Sequence, residues 1–277
     1  MRQAAQPLAL EADPMRTEVL KQKTHYETIH DKYEAHYFDA ESMAFREKFV
    51  YDVIFDGLDL NGKDVVDIAA GSGYNSLWVA KKFPQARVCG IDISEKACAA
   101  YRKLVGGEAR VFDLTNGQDF GRRFDVAMVF GGLHHCVSDL PGTFRTLAHL
   151  IRPGGLLLMF EPNSRYLLEG LRKLWYRWDS SFEEATESAL DHDDLSAQAA
   201  SYFQPVASWH MGGPAYFLIC NSMVFRVPQK MKRYLAPVLF PLERACNQLP
   251  GKFLFPYFIA RWRRLDRPVV NNPRTVK

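Results

Sequence analysis

"DVVDIAAGSGYNSLWVAKKFP", residues 64 to 84, decides the fold of this 277-residue chain. The apolar run around Val65, Val66 and Ile68 is the length of a short strand buried on both faces. Small residues follow, Ala69 to Gly73, and then apolar positions at helical spacing run to Phe83 before Pro84 stops them. A strand that bends through glycines into a helix gathers backbone N–H groups at one point, where larger side chains would block a ligand. Asp67 is the oddity. A carboxylate at the strand end repels a pyrophosphate and suits a ligand that carries positive charge.

Outward from this unit the pattern repeats. "ARVCGIDI" predicts a second strand ending at Asp92, 19 residues after Gly73, where a carboxylate can take both hydroxyls of a ribose. Ser94 is a suitable N-cap for the helix that follows, with Glu95 in its first turn. "EARVFDL", "FDVAMVF" and "LLLMFEP" predict strands three to five, with a helix in "LPGTFRTLAHLI" and a turn at "RPGG". "PVASWHMGG" predicts a sixth strand and "KFLFPYFIARWRR" a last one, which Pro256 assigns to an edge or a bulge. Alternation of this kind signals a parallel α/β sheet. The boundaries divide the chain into a flexible tail (1–16), a helical cap (17–60), a ligand-binding core (61–213), a helical excursion broken by Pro228, Pro237 and Pro241 (214–250), the returning strand (251–265) and a second tail (266–277). Residues 163–200 read as amphipathic helix.

Composition narrows the classes. Hydrophobic content of 47% with 24% charged residues is that of a globular protein, which excludes disordered and fibrous chains. Five scattered cysteines without a C-x-x-C pair predict reduced thiols in a cytoplasmic protein and argue against zinc. The first twenty residues lack the apolar core of a signal peptide, and "PAYFLICNSMVF" falls short of the ~20 residues of a membrane span. Net charge is +3, yet residues 226–277 hold 12 Lys and Arg against 2 Asp and Glu. A basic C-terminal part on an acidic body predicts an anionic neighbour. Lys230, Lys232, Arg233, Arg261, Arg263 and Arg264, beside apolar segments, suit peripheral contact with an anionic membrane or lipid. Nucleic acid is disfavoured, since the body is acidic and no RNA-binding module is present.

As a dinucleotide fingerprint the bend would use Gly71, Gly73 and Ser76, with Ser where Gly or Ala is required, and it has no P-loop Lys-Ser/Thr. The order of motifs instead resembles the class I S-adenosylmethionine-dependent methyltransferases, in the small-molecule group that includes the quinone-biosynthesis enzymes. The similarity extends over residues 20–213 and loosely the last strand. "VVDIAAGSG" is similar to that family's first motif, "GIDIS" and "FDL" to its ribose and adenine segments, "FDVAMVFGGLHH" to its fourth motif, and "LIRPGGLLLMFEPN" to the turn and strand after it. The resemblance implies an α/β, Rossmann-like, seven-stranded, mostly parallel sheet with an N-terminal helical cap and a C-terminal helical insertion. It implies S-adenosyl-L-methionine as cofactor, held by Asp67, Ala69, Gly71, Ser72, Gly73 and Asn75 at the first bend. Asp92 and Ile93 would follow on the ribose, Asp113 and Leu114 on the adenine, and Phe130, Gly131 and Gly132 on the methionine moiety. Tyr26, Tyr33 and Arg46 of the cap are candidates for its carboxylate. Ala69 departs from the family's glycine and is expected to adopt an ordinary backbone conformation, with the close approach falling on Gly71 and Gly73.

Methyl transfer needs an aligned nucleophile and a base to take its proton. His134 and His135, after strand four, stand at the sheet's C-terminal edge, and His135 is favoured. Glu161 either contacts the ligand or anchors a turn. Asp191, Asp193 and Asp194 read as helix capping rather than a metal site, and His210 as structural. The expected reaction is methylation of a small, hydrophobic or lipid-like acceptor, at oxygen. A nicotinamide-dependent oxidoreductase and a non-catalytic S-adenosylmethionine-binding protein are the alternatives.

Overall fold

The computed structural model describes residues 17–117, 119–170 and 188–266. Two helices come first, α1 (Thr17–Tyr37) and α2 (Ala40–Arg46), the second running on through a π-helical turn, Glu47–Tyr51. Then β1 (Asp64–Ile68), α3 (Tyr74–Lys82), β2 (Arg87–Asp92), α4 (Glu95–Val105), β3 (Glu108–Val111), β4 (Phe124–Phe130), α5 (Leu140–Leu150) and β5 (Ile151–Pro162) alternate. The chain closes with α6 (His192–Ala199), β6 (Phe203–Met211), α7 (Gln229–Cys246) and β7 (Tyr257–Arg264).

The sheet has seven strands in the order β3-β2-β1-β4-β5-β7-β6. β7 is antiparallel to both neighbours, and the remaining pairs are parallel. β4 shows why its sequence has no polar alternation. Ala127 and Val129 enter one core with Phe144 and Trp262, while Val126, Met128 and Phe130 enter the other with Phe45, Tyr51 and Tyr257. By the same alternation Asp67 shares Val65's face and looks toward the N-terminal helices, whose Phe45, Phe49, Val50 and Ile54 cover it. Chain order reverses beside β1, where β2 lies on one side and β4 on the other. That reversal leaves a crevice at the carboxyl ends of the strands.

Four expectations change. β7 is an interior strand, because Pro256 precedes it and leaves every ladder N–H intact; the edge is β6, which carries Pro205. "RPGG" is not a turn but a bulge inside β5, where pairing to β4 skips from Phe124↔Ile151 to Val126↔Leu156. The third strand stops at Val111, short of Phe112, Asp113 and Leu114. α7 continues through Pro237 and Pro241. Both prolines are exposed, so the carbonyls they deprive of donors, on Arg233 and Pro237, lie on the solvent side and can be hydrated. Part of the helical reading of 163–200, and both tails except Asp266, fall outside the described residues. Among the described residues no helix is long and apolar enough to cross a membrane.

Candidate functional site

The crevice encloses a cavity of about 160 Å³ built from successive strand ends. β1 delivers Ala69, Gly71 and Asn75, β2 delivers Asp92 and Ile93, and the segment after β3 delivers Asp113 and Leu114. Phe130, Gly131, Gly132 and His135 follow β4, while Glu34, Phe38 and Arg46 form the cover. Ser72 stands beside the cavity, with its N–H donated to Glu34 Oε1 at 3.2 Å. The side chains of Tyr26 and Tyr33 lie outside the described residues.

Two loop positions differ from the reading of the sequence. Ala69 adopts φ +53°, the left-handed region, instead of an ordinary conformation. An L-residue there costs about 1–2 kcal/mol, so the surrounding structure holds the bend open against that strain. Its methyl group fits because position 132 is glycine: a Cβ on Gly132 would stand 2.7 Å from Ala69 Cβ. Gly73, at φ +88°, is not among the residues lining the cavity. A Cβ there would meet the Tyr101 ring at 2.5 Å, so this glycine makes room for α4 against the first bend. Gly71 faces the cavity at φ +54°, with nothing within 4 Å of where its Cβ would be.

The carboxylates are held by local donors. Asp92 accepts from Gly71 N at 3.0 Å and Ser94 N at 2.9 Å, which ties the ends of β1 and β2 together. Asp113 Oδ1 accepts from Thr115 N and Oγ1, at 2.8 and 2.7 Å, whereas its buried Oδ2 accepts from no group among the described residues. Asp67 lies beneath the floor, fully buried, with Oδ2 accepting from Ser76 Oγ at 2.7 Å. Burial pushes its carboxyl up to about 7, against the opposing pull of the Ser76 hydrogen bonds. Arg46, 5% exposed, lies over the rings of Phe38 and Phe160 at 4.8 and 5.8 Å and reaches Tyr51. Among the described lining residues it is the one permanent cation, against Glu34, Asp92 and Asp113.

The two histidines part company. His135 lines the cavity, while His134 turns to Glu161, with Nδ1 2.8 Å from Oε2. Glu161, 1% exposed, also accepts from Gly132 N at 3.0 Å and Leu133 N at 2.8 Å. It therefore anchors the turn after β4 and orients one imidazole. This contact turns the His134 ring onto the β5 carboxyl. The rings lie 3.9 Å apart. Cys136 also lines the cavity, but burial pushes its thiol up to about 12, which suits packing rather than nucleophilic attack.

Asp191 caps α6 by accepting from Asp193 N, and Asp193 bridges to Lys252 at 2.7 Å. No metal-binding cluster occurs among the described residues. Burial lowers His210 to about 4, and its ring packs near Phe258 and His192. Sequence reading missed Glu34, Phe38, Phe112 and Thr115 in the lining. Thr115 had a signal, since Asp-x-Thr forms a local side-chain turn. Glu34 and Phe38 had none, because a helix far from the loop in sequence brings them over it.

Residues 66–157 match the model of a methyltransferase domain family. Over 146 residues the chain is 27% identical to a malonyl-[acyl-carrier protein] O-methyltransferase of Xylella fastidiosa, covering 47% of this chain and 46% of that protein. Over 112 residues it is 30% identical to a demethylmenaquinone methyltransferase of Thermotoga maritima, covering 39% and 48% respectively. The chain thus spans about half the length of the curated relatives it matches. Among solved structures the [4+2]-cyclase SpnF aligns with a TM-score of 0.61 at 14% identity, over 91% of this chain and 98% of that one. At that identity the likeness is one of fold.

Proposed function

We propose that this chain, whose residues 66–157 match a methyltransferase domain family, transfers a methyl group from S-adenosylmethionine to a small hydrophobic acceptor, at oxygen. The observation that carries the choice of ligand is the sign of the cavity. Among the described lining residues three acids, Glu34, Asp92 and Asp113, oppose one arginine, which disfavours a pyrophosphate and with it the nicotinamide reading. The residues fit the cofactor in a second respect. Asp113 Oδ2 is a buried acceptor with no donor among the described residues, and an adenine amino group would supply one.

When bound, the cofactor supplies an activated methyl carbon. The chain's residues then align and deprotonate. Asp92 would take the ribose hydroxyls, Asp113 the adenine edge, and Arg46 the carboxylate. His135, which lines the cavity, is assigned the acceptor's proton, and His134, held by Glu161, positions the turn that carries it. Calorimetry with S-adenosylhomocysteine and with NAD(P) tests the reading. Binding of the first, abolished in Asp92→Ala with the fold intact, is expected; stabilisation by NAD(P) alone would sink it.

The acceptor reading extends to a membrane partner. Lys232 is fully buried, donating to His36 O and Ser42 Oγ, and Arg261 donates to the carbonyls of Val53, Ile54 and Asp56, so neither faces a membrane. The outer side of α7 supports contact instead. Met231, Tyr234, Val238 and Leu242 are exposed along it at helical spacing, beside Lys230, Arg233 and Arg244. Co-sedimentation with phosphatidylserine vesicles, lost in Val238→Glu/Leu242→Glu, is the expected result. Equal recovery of both proteins would remove this partner.

A further inference from the structure

A second cavity lies at the same sheet edge, beyond β5. Pro162, Tyr257 and Met211 are cross-strand neighbours there, and the cavity, of about 680 Å³, is lined by residues close to them in the chain, among them Gly212 and Phe255. Its walls include Phe217 and Val224 after β6, Leu249 after α7, Leu254 and Phe255 before β7, and Tyr166 after β5. That size lies in the range of small-molecule sites, and the lining is almost all carbon. Water in such a space finds few partners, so the guest it favours is apolar. Phe225, Leu249 and Leu254 continue the apolar lining out to the surface, with exposures of 54%, 52% and 48%.

Charge is arranged to match. Glu243, the sole acid of α7, turns away from solvent and accepts from the N–H groups of Gly213, Ala215 and Tyr216, at 2.8, 2.9 and 3.3 Å. These bonds fix the segment that carries Phe217. Among the described residues the two cavities share no lining residue. A run of rings bridges them: Phe217 on Tyr216 at 5.1 Å, Tyr216 on Tyr257 at 4.8 Å, and Tyr257 on Phe160 at 5.0 Å, beneath Arg46. β4 and β6 are three strand spacings apart, about 14 Å at ~4.8 Å each.

We propose that this second cavity is a binding site for a hydrocarbon chain, saturated or isoprenoid, and that the chain is the tail of an elongated methyl acceptor whose head lies at the first cavity. The tail's membership of a methyl acceptor rests on the function proposed above; the chain site itself rests on the cavity.

The test uses the whole protein and cis-parinaric acid, whose fluorescence rises in an apolar enclosure. Saturable binding is expected, displaced by dodecan-1-ol, not by butan-1-ol, and not by S-adenosylhomocysteine. Leu249→Gln/Leu254→Gln, both at half-exposed positions, should weaken it at least tenfold with an unchanged unfolding midpoint. Unchanged affinity in that variant, or displacement by S-adenosylhomocysteine, would overturn the site. Calorimetry with S-adenosylhomocysteine on the same samples separates the two proposals. Chain binding without cofactor binding removes the methyl transfer and keeps the site, and cofactor binding without chain binding removes the site alone.

Discussion

The contact between Ala69 and Gly132 can be measured as a double-mutant cycle. Gly132 has φ −124° and ψ −30°, on the negative-φ side that alanine adopts, so Gly132→Ala is a steric perturbation and not a backbone one. Its new methyl would stand 2.7 Å from Ala69 Cβ and 3.2 Å from Val129 Cγ1, where carbons prefer about 3.5–4.0 Å. Overpacking of this kind costs about 1–3 kcal/mol. Ala69→Gly removes the left-handed strain, about 1–2 kcal/mol, less about 0.4–1 kcal/mol for the freer unfolded chain. The single change should therefore stabilise slightly. Combined with Ala69→Gly, the Gly132→Ala change keeps only the Val129 contact and should cost below about 1 kcal/mol, a coupling of about 1–2 kcal/mol. Urea unfolding of the four proteins measures it. An equal cost of Gly132→Ala with and without the change at position 69, within about 0.3 kcal/mol, would refute the contact.

Three further outcomes follow from named groups. Asp67 is raised by burial from 3.8 to about 7 and Glu243 from 4.5 to about 7, so the folded protein holds these protons more tightly than the unfolded chain. The stability they contribute is whole below about pH 4 and is lost as pH rises through 7, on the order of 4 kcal/mol for Asp67. Asp67→Asn should flatten that fall in urea midpoints between pH 5 and 8, and a parallel fall in the variant counts against the assignment. Lys232→Met leaves Asp39 without its buried cation and should cost about 3–5 kcal/mol, against less than about 0.5 kcal/mol for exposed Lys230→Met; comparable losses in the two would contradict the buried tie. His135→Ala should lower kcat by about 10²–10⁴ with cofactor affinity kept, whereas His134→Ala, which removes a partner of Glu161 at the turn after β4, should chiefly weaken S-adenosylhomocysteine binding. The reverse pattern would reassign the base.

Much of this was legible because it is local. The order of strands and helices, the N-caps at Ser94 and Asp191, and the acids at the ends of β1 and β2 are each written within a few residues. Position in the sheet was not, since nothing in "YFIARWRR" states which strands will flank it; pairing with β5 and β6 decides that β7 is interior. A proline-bearing helix reads as broken until its prolines are seen to face solvent.

By itself the sequence determined a parallel α/β unit with small residues at its first bend and carboxylates at strand ends, because periodicity and turn chemistry act over short distances. Only the tertiary structure decided what each small residue is for. Gly71 opens toward the cavity, Gly73 yields to Tyr101, and Gly132 yields to Ala69, since a missing Cβ has meaning only through the atom that would have struck it. The same holds for His134 and His135. Adjacent in sequence, they are separated in role by Glu161, which strand pairing brings beneath one of them.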